Sequence, residues 1–138
     1  MSKLRVGFVG ITGMAKNNLN SLKEATNIDL VSVSDIKADE AKRVAKEFGV
    51  PSYTNYKRMM SRVKMDAVLM SLPHYIYPDA VRAAAKHGLH VWKEKPLARN
   101  FKEGLKMVEL MEERGLKFMM GTQRRFTTWR SIPRGAFS

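Results

Sequence analysis

Five short apolar or β-branched runs, at residues 4–9, 29–34, 67–72, 89–92 and 117–120, alternate with five stretches of helical spacing. The helical stretches cover residues 14–25, 38–48, 56–63, 78–87 and 101–114. This alternation limits the fold more than any other feature of the chain. The apolar runs are continuous rather than strictly two-fold, so both faces of each strand must be covered. Strand, helix and strand at this spacing build βαβ units, and right-handed crossovers place helices on both sides of a parallel sheet. The expected fold class is therefore α/β, a doubly wound parallel sheet. Gly49 followed by Pro51 stops the second helix, and Gly88 and Gly115 stop the helices from Pro78 and Phe101. No internal repeat or low-complexity linker interrupts the pattern, and 138 residues suit a single domain with its own core.

The chain carries 25 Lys and Arg against 13 Asp and Glu, a formal charge of +12. Such a surplus points to anionic partners. It is uneven: residues 121–138 hold Arg124, Arg125, Arg130 and Arg134 and no acid. The rest is spread over helical faces such as "KADEAKRVAKEFG" and reads as solvated surface, so no specific nucleic-acid partner is expected. With no cysteine there is no disulfide framework or thiolate metal site, and three histidines form no metal constellation. No apolar run approaches the ~20 residues of a membrane span, and no secretory leader is legible at the N-terminus. A cytoplasmic location and no membrane partner are the expectations.

The first strand runs into "VGFVGITGMAK", residues 6–16. A strand, a tight bend and a helix whose first N–H groups face outward form a receptor for a dinucleotide pyrophosphate. Gly10 stands where the bend begins. Ala15 holds the third position, which must be small for the helix to pack on the strand. Thr12 occupies the second position, where glycine normally lets phosphate approach the backbone, and Gly13 beside it supplies conformational freedom. Taken alone, the motif also fits a plain strand-to-helix turn. Asp35 ends the second strand, 20 residues beyond Ala15. A carboxylate there accepts hydrogen bonds from both adenosine ribose hydroxyls and repels a 2′-phosphate, which favours NAD over NADP. Its competing reading is a helix N-cap, and Lys37 nearby softens the discrimination, leaving NADP as the second cofactor.

Further on, "HGLHVWKEKPLA" resembles the "GKHVLCEKPLA" signature of the glucose–fructose oxidoreductase/inositol dehydrogenase (Gfo/Idh/MocA) family. The resemblance covers residues 3–126. It takes in the turn at Gly10 to Ala15, Asp35, Leu72 and Pro73, the Glu94-Lys95-Pro96 motif and "GTQRRF". It implies a Rossmann-type fold and NAD(P)-dependent oxidation of sugars, polyols and related compounds. It further implies that Gly10, Thr12, Gly13, Met14 and Ala15 border the pyrophosphate, and that Asp35 and Ile36 meet the adenosine. Ser71, Leu72, Pro73 and His74 would border the nicotinamide half, with Glu94 and Lys95 beside the ring and Gln123 and Arg125 at cofactor or structural positions. Lys95 would be the catalytic group. An ammonium can hydrogen-bond the carbinol oxygen, stabilise developing negative charge and exchange its proton. Tyr77 would also stand among the cofactor-binding residues, although it departs from the family, which often has histidine there. His87, His90 and Trp92 read as structural.

Family members are much longer, and "TTWRSIPRGAFS" does not resemble their continuation. The expected organisation is a Rossmann-type NAD(P)-binding domain over residues 1–122, then a basic tail or the start of a connection over 123–138, with the family's C-terminal α/β domain absent. The expected function is cofactor binding by the truncated half of an oxidoreductase, inactive alone, whose longer relatives take a sugar- or polyol-like substrate, with a homo-oligomer formed through the uncovered face. The alternatives are a Rossmann-like module whose basic surface meets nucleic acid or an acidic protein, and a nonfunctional remnant.

Overall fold

The computed structural model describes residues 3–12, 15–94 and 98–121. Six strands, β1 (Leu4–Val9), β2 (Ile28–Ser34), β3 (Ser52–Tyr53), β4 (Ala67–Met70), β5 (His90–Glu94) and β6 (Phe118–Gly121), form one parallel sheet in the order β3-β2-β1-β4-β5-β6. Between them run α1 (Ala15–Glu24), α2 (Ala38–Phe48), α3 (Tyr56–Arg62), α4 (Tyr77–Lys86) and α5 (Phe101–Glu113). The expected doubly wound parallel sheet is what the chain forms. β3 is an addition the sequence pattern did not show, as is a single 3-10 turn over His74–Ile76.

The two-sided burial that continuous apolar runs demand is visible strand by strand. On β4, Ala67 and Leu69 join one core with Phe8, Ile11, Leu19, Val44 and Trp92. Val68 and Met70 join the other with Val9, Met59, Tyr77, Val81, Val91 and Met107. Successive side chains on a strand point to opposite faces, so a single run feeds both layers. Each Val, Leu, Ile, Phe or Met among them contributes roughly 1.5–3 kcal/mol on burial. Where β1 lies under α3, Gly7 leaves the room that Met59 and Met65 fill; a Cβ there would stand 2.8 Å from the Met65 sulfur.

Local signals end the elements as chemistry requires. Gly49 closes α2 in the left-handed conformation (φ 68°), and its N–H donates to the Ala45 carbonyl. Asn55 caps α3 and Asn100 caps α5, each side chain accepting from first-turn N–H groups. At the amino edge of the sheet, Arg5 donates to both carboxylate oxygens of Asp66, at 2.8 and 3.1 Å, and pins β1 to the start of β4. Among the described residues no helix is long and apolar enough to cross a membrane.

Candidate functional site

The strand order reverses between β1 and β4, so the connections leaving these neighbours run to opposite halves of the sheet. In open α/β sheets that reversal opens a crevice at the carboxyl ends of the strands. Gly10 opens it. Its φ is +83°, and a Cβ there would collide with the Ser71 carbonyl oxygen. Its N–H donates to the Ser34 carbonyl (2.9 Å), and the Ser71 N–H donates to the Val9 carbonyl (2.9 Å). The exits of β1, β2 and β4 are thus locked to one another at a residue that only glycine can supply. Ala15, fully buried at the first position of α1, permits that helix to sit against the sheet. Thr12 is half-buried between them, and its carbonyl accepts from the Ala15 N–H at 3.4 Å.

Asp35 belongs to the same construction. It is 8% exposed, and its two carboxylate oxygens accept different backbone N–H groups: Ile11 on Oδ2 at 3.0 Å and Lys37 on Oδ1 at 2.8 Å. Its own N–H donates to the Tyr53 carbonyl at 3.0 Å. The N-cap position of α2 is Lys37, with no side-chain cap. The carboxylate therefore braces the glycine turn from the neighbouring strand, and each oxygen retains a further lone pair for a ligand hydroxyl. Ile36 beside it is 86% exposed on the carboxyl rim.

On the other half of the crevice, Ser71 and Leu72 are half-buried, and Pro73 and His74 are exposed at the 3-10 turn. Tyr77 lies beneath them, 2% exposed. Its hydroxyl accepts from the Leu72 N–H at 2.9 Å and donates to the Met70 carbonyl at 3.3 Å, so it holds the turn leaving β4. Burial pushes its phenol pKa up. Glu94 ends β5, half-buried. The structure thus brings Gly10, Thr12, Ala15, Asp35, Ser71 and Leu72 to one crevice, sets Tyr77 under it, and leaves Ile36, Pro73 and His74 on its rim. Gly13, Met14, Lys95 and Gln123 lie outside the described residues.

Sequence reasoning passed over Lys93. It is fully buried in β5, its Nζ 3.9 Å from the centre of the Tyr77 ring and 3.1 Å from the Glu94 carbonyl oxygen, to which it donates. Burial lowers its pKa to about 8, opposed by the nearby Glu103 and Glu94. The signal was available: in a strand covered on both faces, the residue after Trp92 must be buried as well.

A family model described as "Oxidoreductase family, NAD-binding Rossmann fold" matches residues 4–122. The D-xylose 1-dehydrogenase (NADP(+)) 2 of Haloferax volcanii is 31% identical over 121 residues, covering 87% of this chain and 37% of that protein. Among solved structures, the myo-inositol 2-dehydrogenase of Lactobacillus plantarum superposes with a TM-score of 0.83 at 26% identity, over 91% of this chain and 38% of that one. A 3-ketoreductase from Actinomadura kijaniata, solved with TDP-benzene and NADP, gives 0.82 at 27% identity, over 87% and 37%. The chain thus spans less than two-fifths of the length of each of these relatives.

Proposed function

The chain belongs to the Gfo/Idh/MocA family of NAD(P)-binding oxidoreductases, and on that premise we propose that its crevice binds NAD(H) in preference to NADP(H) as the cofactor half of a dehydrogenase acting on a sugar- or polyol-like alcohol. The observation that carries this reading is the Asp35 carboxylate, fixed by the Ile11 and Lys37 N–H groups beside the Gly10 turn. The donor set fits the cofactor. Gly10, Thr12, Gly13, Met14 and Ala15 would line the pyrophosphate, with the Thr12 hydroxyl donating to a phosphate oxygen. Asp35 would accept from the ribose hydroxyls, and Ile36 would cover the adenosine. Ser71, Leu72, Pro73, His74 and Glu94 would border the nicotinamide, with Tyr77 holding the turn they stand on and Gln123 beyond it.

A bound nicotinamide supplies the hydride acceptor for an alcohol substrate. Lys95 would hold a proton at the substrate oxygen and stabilise negative charge there. Two relatives carry NADP in their names or complexes; the NAD preference rests on Asp35, whose charge would face the extra 2′-phosphate.

Calorimetric titration of the 138-residue chain with NADH and NADPH tests the reading. Saturable NADH binding about tenfold tighter than NADPH is expected, and Asp35→Asn should shrink that ratio toward one. A folded chain that binds neither would refute it. Because the chain covers so little of its relatives' length, no polyol oxidation is expected from it alone. Measurable turnover would overturn that part.

A further inference from the structure

We propose that Lys93 is a positioning residue for the nicotinamide half of the crevice: its ammonium, seated on the Tyr77 ring, grips the Glu94 carbonyl and so ties the peptide unit leading into Lys95 to the turn that leaves β4. This rests on the cofactor reading above. The linkage is continuous. Lys93 Nζ donates to the Glu94 carbonyl at 3.1 Å and stands 3.9 Å from the Tyr77 ring centre. The same tyrosine's hydroxyl holds the Leu72 N–H and the Met70 carbonyl. The carbonyl that Lys93 grips belongs to the Glu94–Lys95 peptide unit. One buried side chain therefore joins the ends of β4 and β5, the two exits that carry every residue assigned to the nicotinamide border.

A fully buried lysine is costly to keep unless its partners compensate. In an exposed loop, "KEK" would need no such arrangement. The cation–π seat is a fixed point for the charge. Among the described residues, the groups facing it include Tyr77 from α4, Glu103 from α5 and Glu94 from its own strand, while the flanking strands pair Met70 and Met120 with it. Its pKa of about 8 means that the grip loses its charge just above neutrality, while Glu103, lowered by its bonds to Arg99, stays ionised and the tyrosine, raised by burial, stays neutral. The nicotinamide end of the site should loosen as pH rises through that value, and the adenosine end, held by Asp35, should not.

The test compares NADH with ADP-ribose, which carries the pyrophosphate and adenosine but no nicotinamide, on the wild-type chain and on Lys93→Met. The wild type should favour NADH over ADP-ribose, and that preference should fall about tenfold in the variant, with ADP-ribose affinity unchanged. In the wild type alone, the preference should also decline between about pH 7 and about pH 9.5, so the proposal stays testable if the variant does not fold. A wild type with no preference for NADH, one flat across pH, or a variant that weakens both ligands equally, overturns it. If the folded wild type binds neither ligand, the cofactor reading fails, and hydrogen exchange on the free chain decides Lys93 separately. Faster exchange at Leu72 and at the end of β5 in Lys93→Met supports the linkage, and unchanged exchange refutes it.

Discussion

At the scale of single residues, Gly10 and Asp35 show how a proposed ligand site and a folding requirement coincide. Gly10 is read from the sequence as the bend that admits phosphate, yet its first duty is to let β1, β2 and β4 end together. With φ at +83° and the Ser71 carbonyl where a Cβ would go, any side chain meets both backbone strain and a collision with main chain. Gly10→Ala should cost about 3 kcal/mol or more in urea unfolding, with an unchanged slope. A loss below about 1 kcal/mol would mean that the turn opens without harm. Asp35 is the complementary case. Its position after "LVSVS" makes it the ribose acceptor of the proposed reading, but its bond to the Ile11 N–H spans 24 residues and has no trace in local pattern. For this reason Asp35→Asn, which keeps an acceptor for one of the two N–H groups, is the better probe of cofactor choice than a truncation to alanine, which would leave the buried Ile11 N–H and the part-buried Lys37 N–H both without acceptors.

Among the elements, those with strong local signals were legible and those defined by neighbours were not. The expected strand over residues 4–9 and helix over 38–48 are the observed β1 and α2, because an apolar run and an amphipathic period bounded by glycine carry their own instructions. β3 is two residues long, Ser52–Tyr53. It exists because β2 offers it an edge, and two residues hold no period. The strand expected over 67–72 stops at Met70, since the Leu72 N–H turns to the Tyr77 hydroxyl. The strand expected over 89–92 continues to Glu94, because Tyr77, from another element, gives Lys93 a place inside. His90 makes the same point with a pH dependence. Its Nδ1 accepts the Lys117 N–H at 3.0 Å, joining the entry of β6 to β5, and burial lowers its pKa below 6.5. An unfolded histidine takes its proton first as pH falls, so the unfolded chain binds more protons in that window, and stability drops as pH falls through about 6.5. The urea midpoint should therefore decline between about pH 7.5 and about pH 5.5. His90→Asn keeps an acceptor at the same place without titrating and should flatten that slope; an equal decline in both chains would remove His90 as its source.

For the molecule as a whole, the charge of +12 and the carboxylate at Asp35 would pull in opposite directions on the proposed cofactor. A basic protein attracts NADPH more than NADH over distance, because NADPH carries an additional phosphate. On the proposed reading, Asp35 would disfavour that phosphate at close range. Salt separates the two, since the Debye length shortens from about 14 Å at 0.05 M to about 4 Å at 0.5 M, screening diffuse attraction while leaving contact chemistry largely intact. The NADH-over-NADPH preference should therefore widen as salt rises across that range, mainly through loss of NADPH affinity. Binding to duplex DNA, if driven by the same diffuse charge, should fall by orders of magnitude over the same interval. A thermal-shift series in both salts, with each ligand at a fixed large excess, reads all three, since a ligand at about 100 times its Kd adds about 2.7 kcal/mol to stability. A preference that narrows with salt would mean that the screened term repels the additional phosphate, so that the net charge of +12 is not what draws the ligand. DNA binding that survives about 0.5 M salt, in a chain indifferent to NADH, would make the basic surface itself the functional site and the crevice only the fold's way of ending its strands.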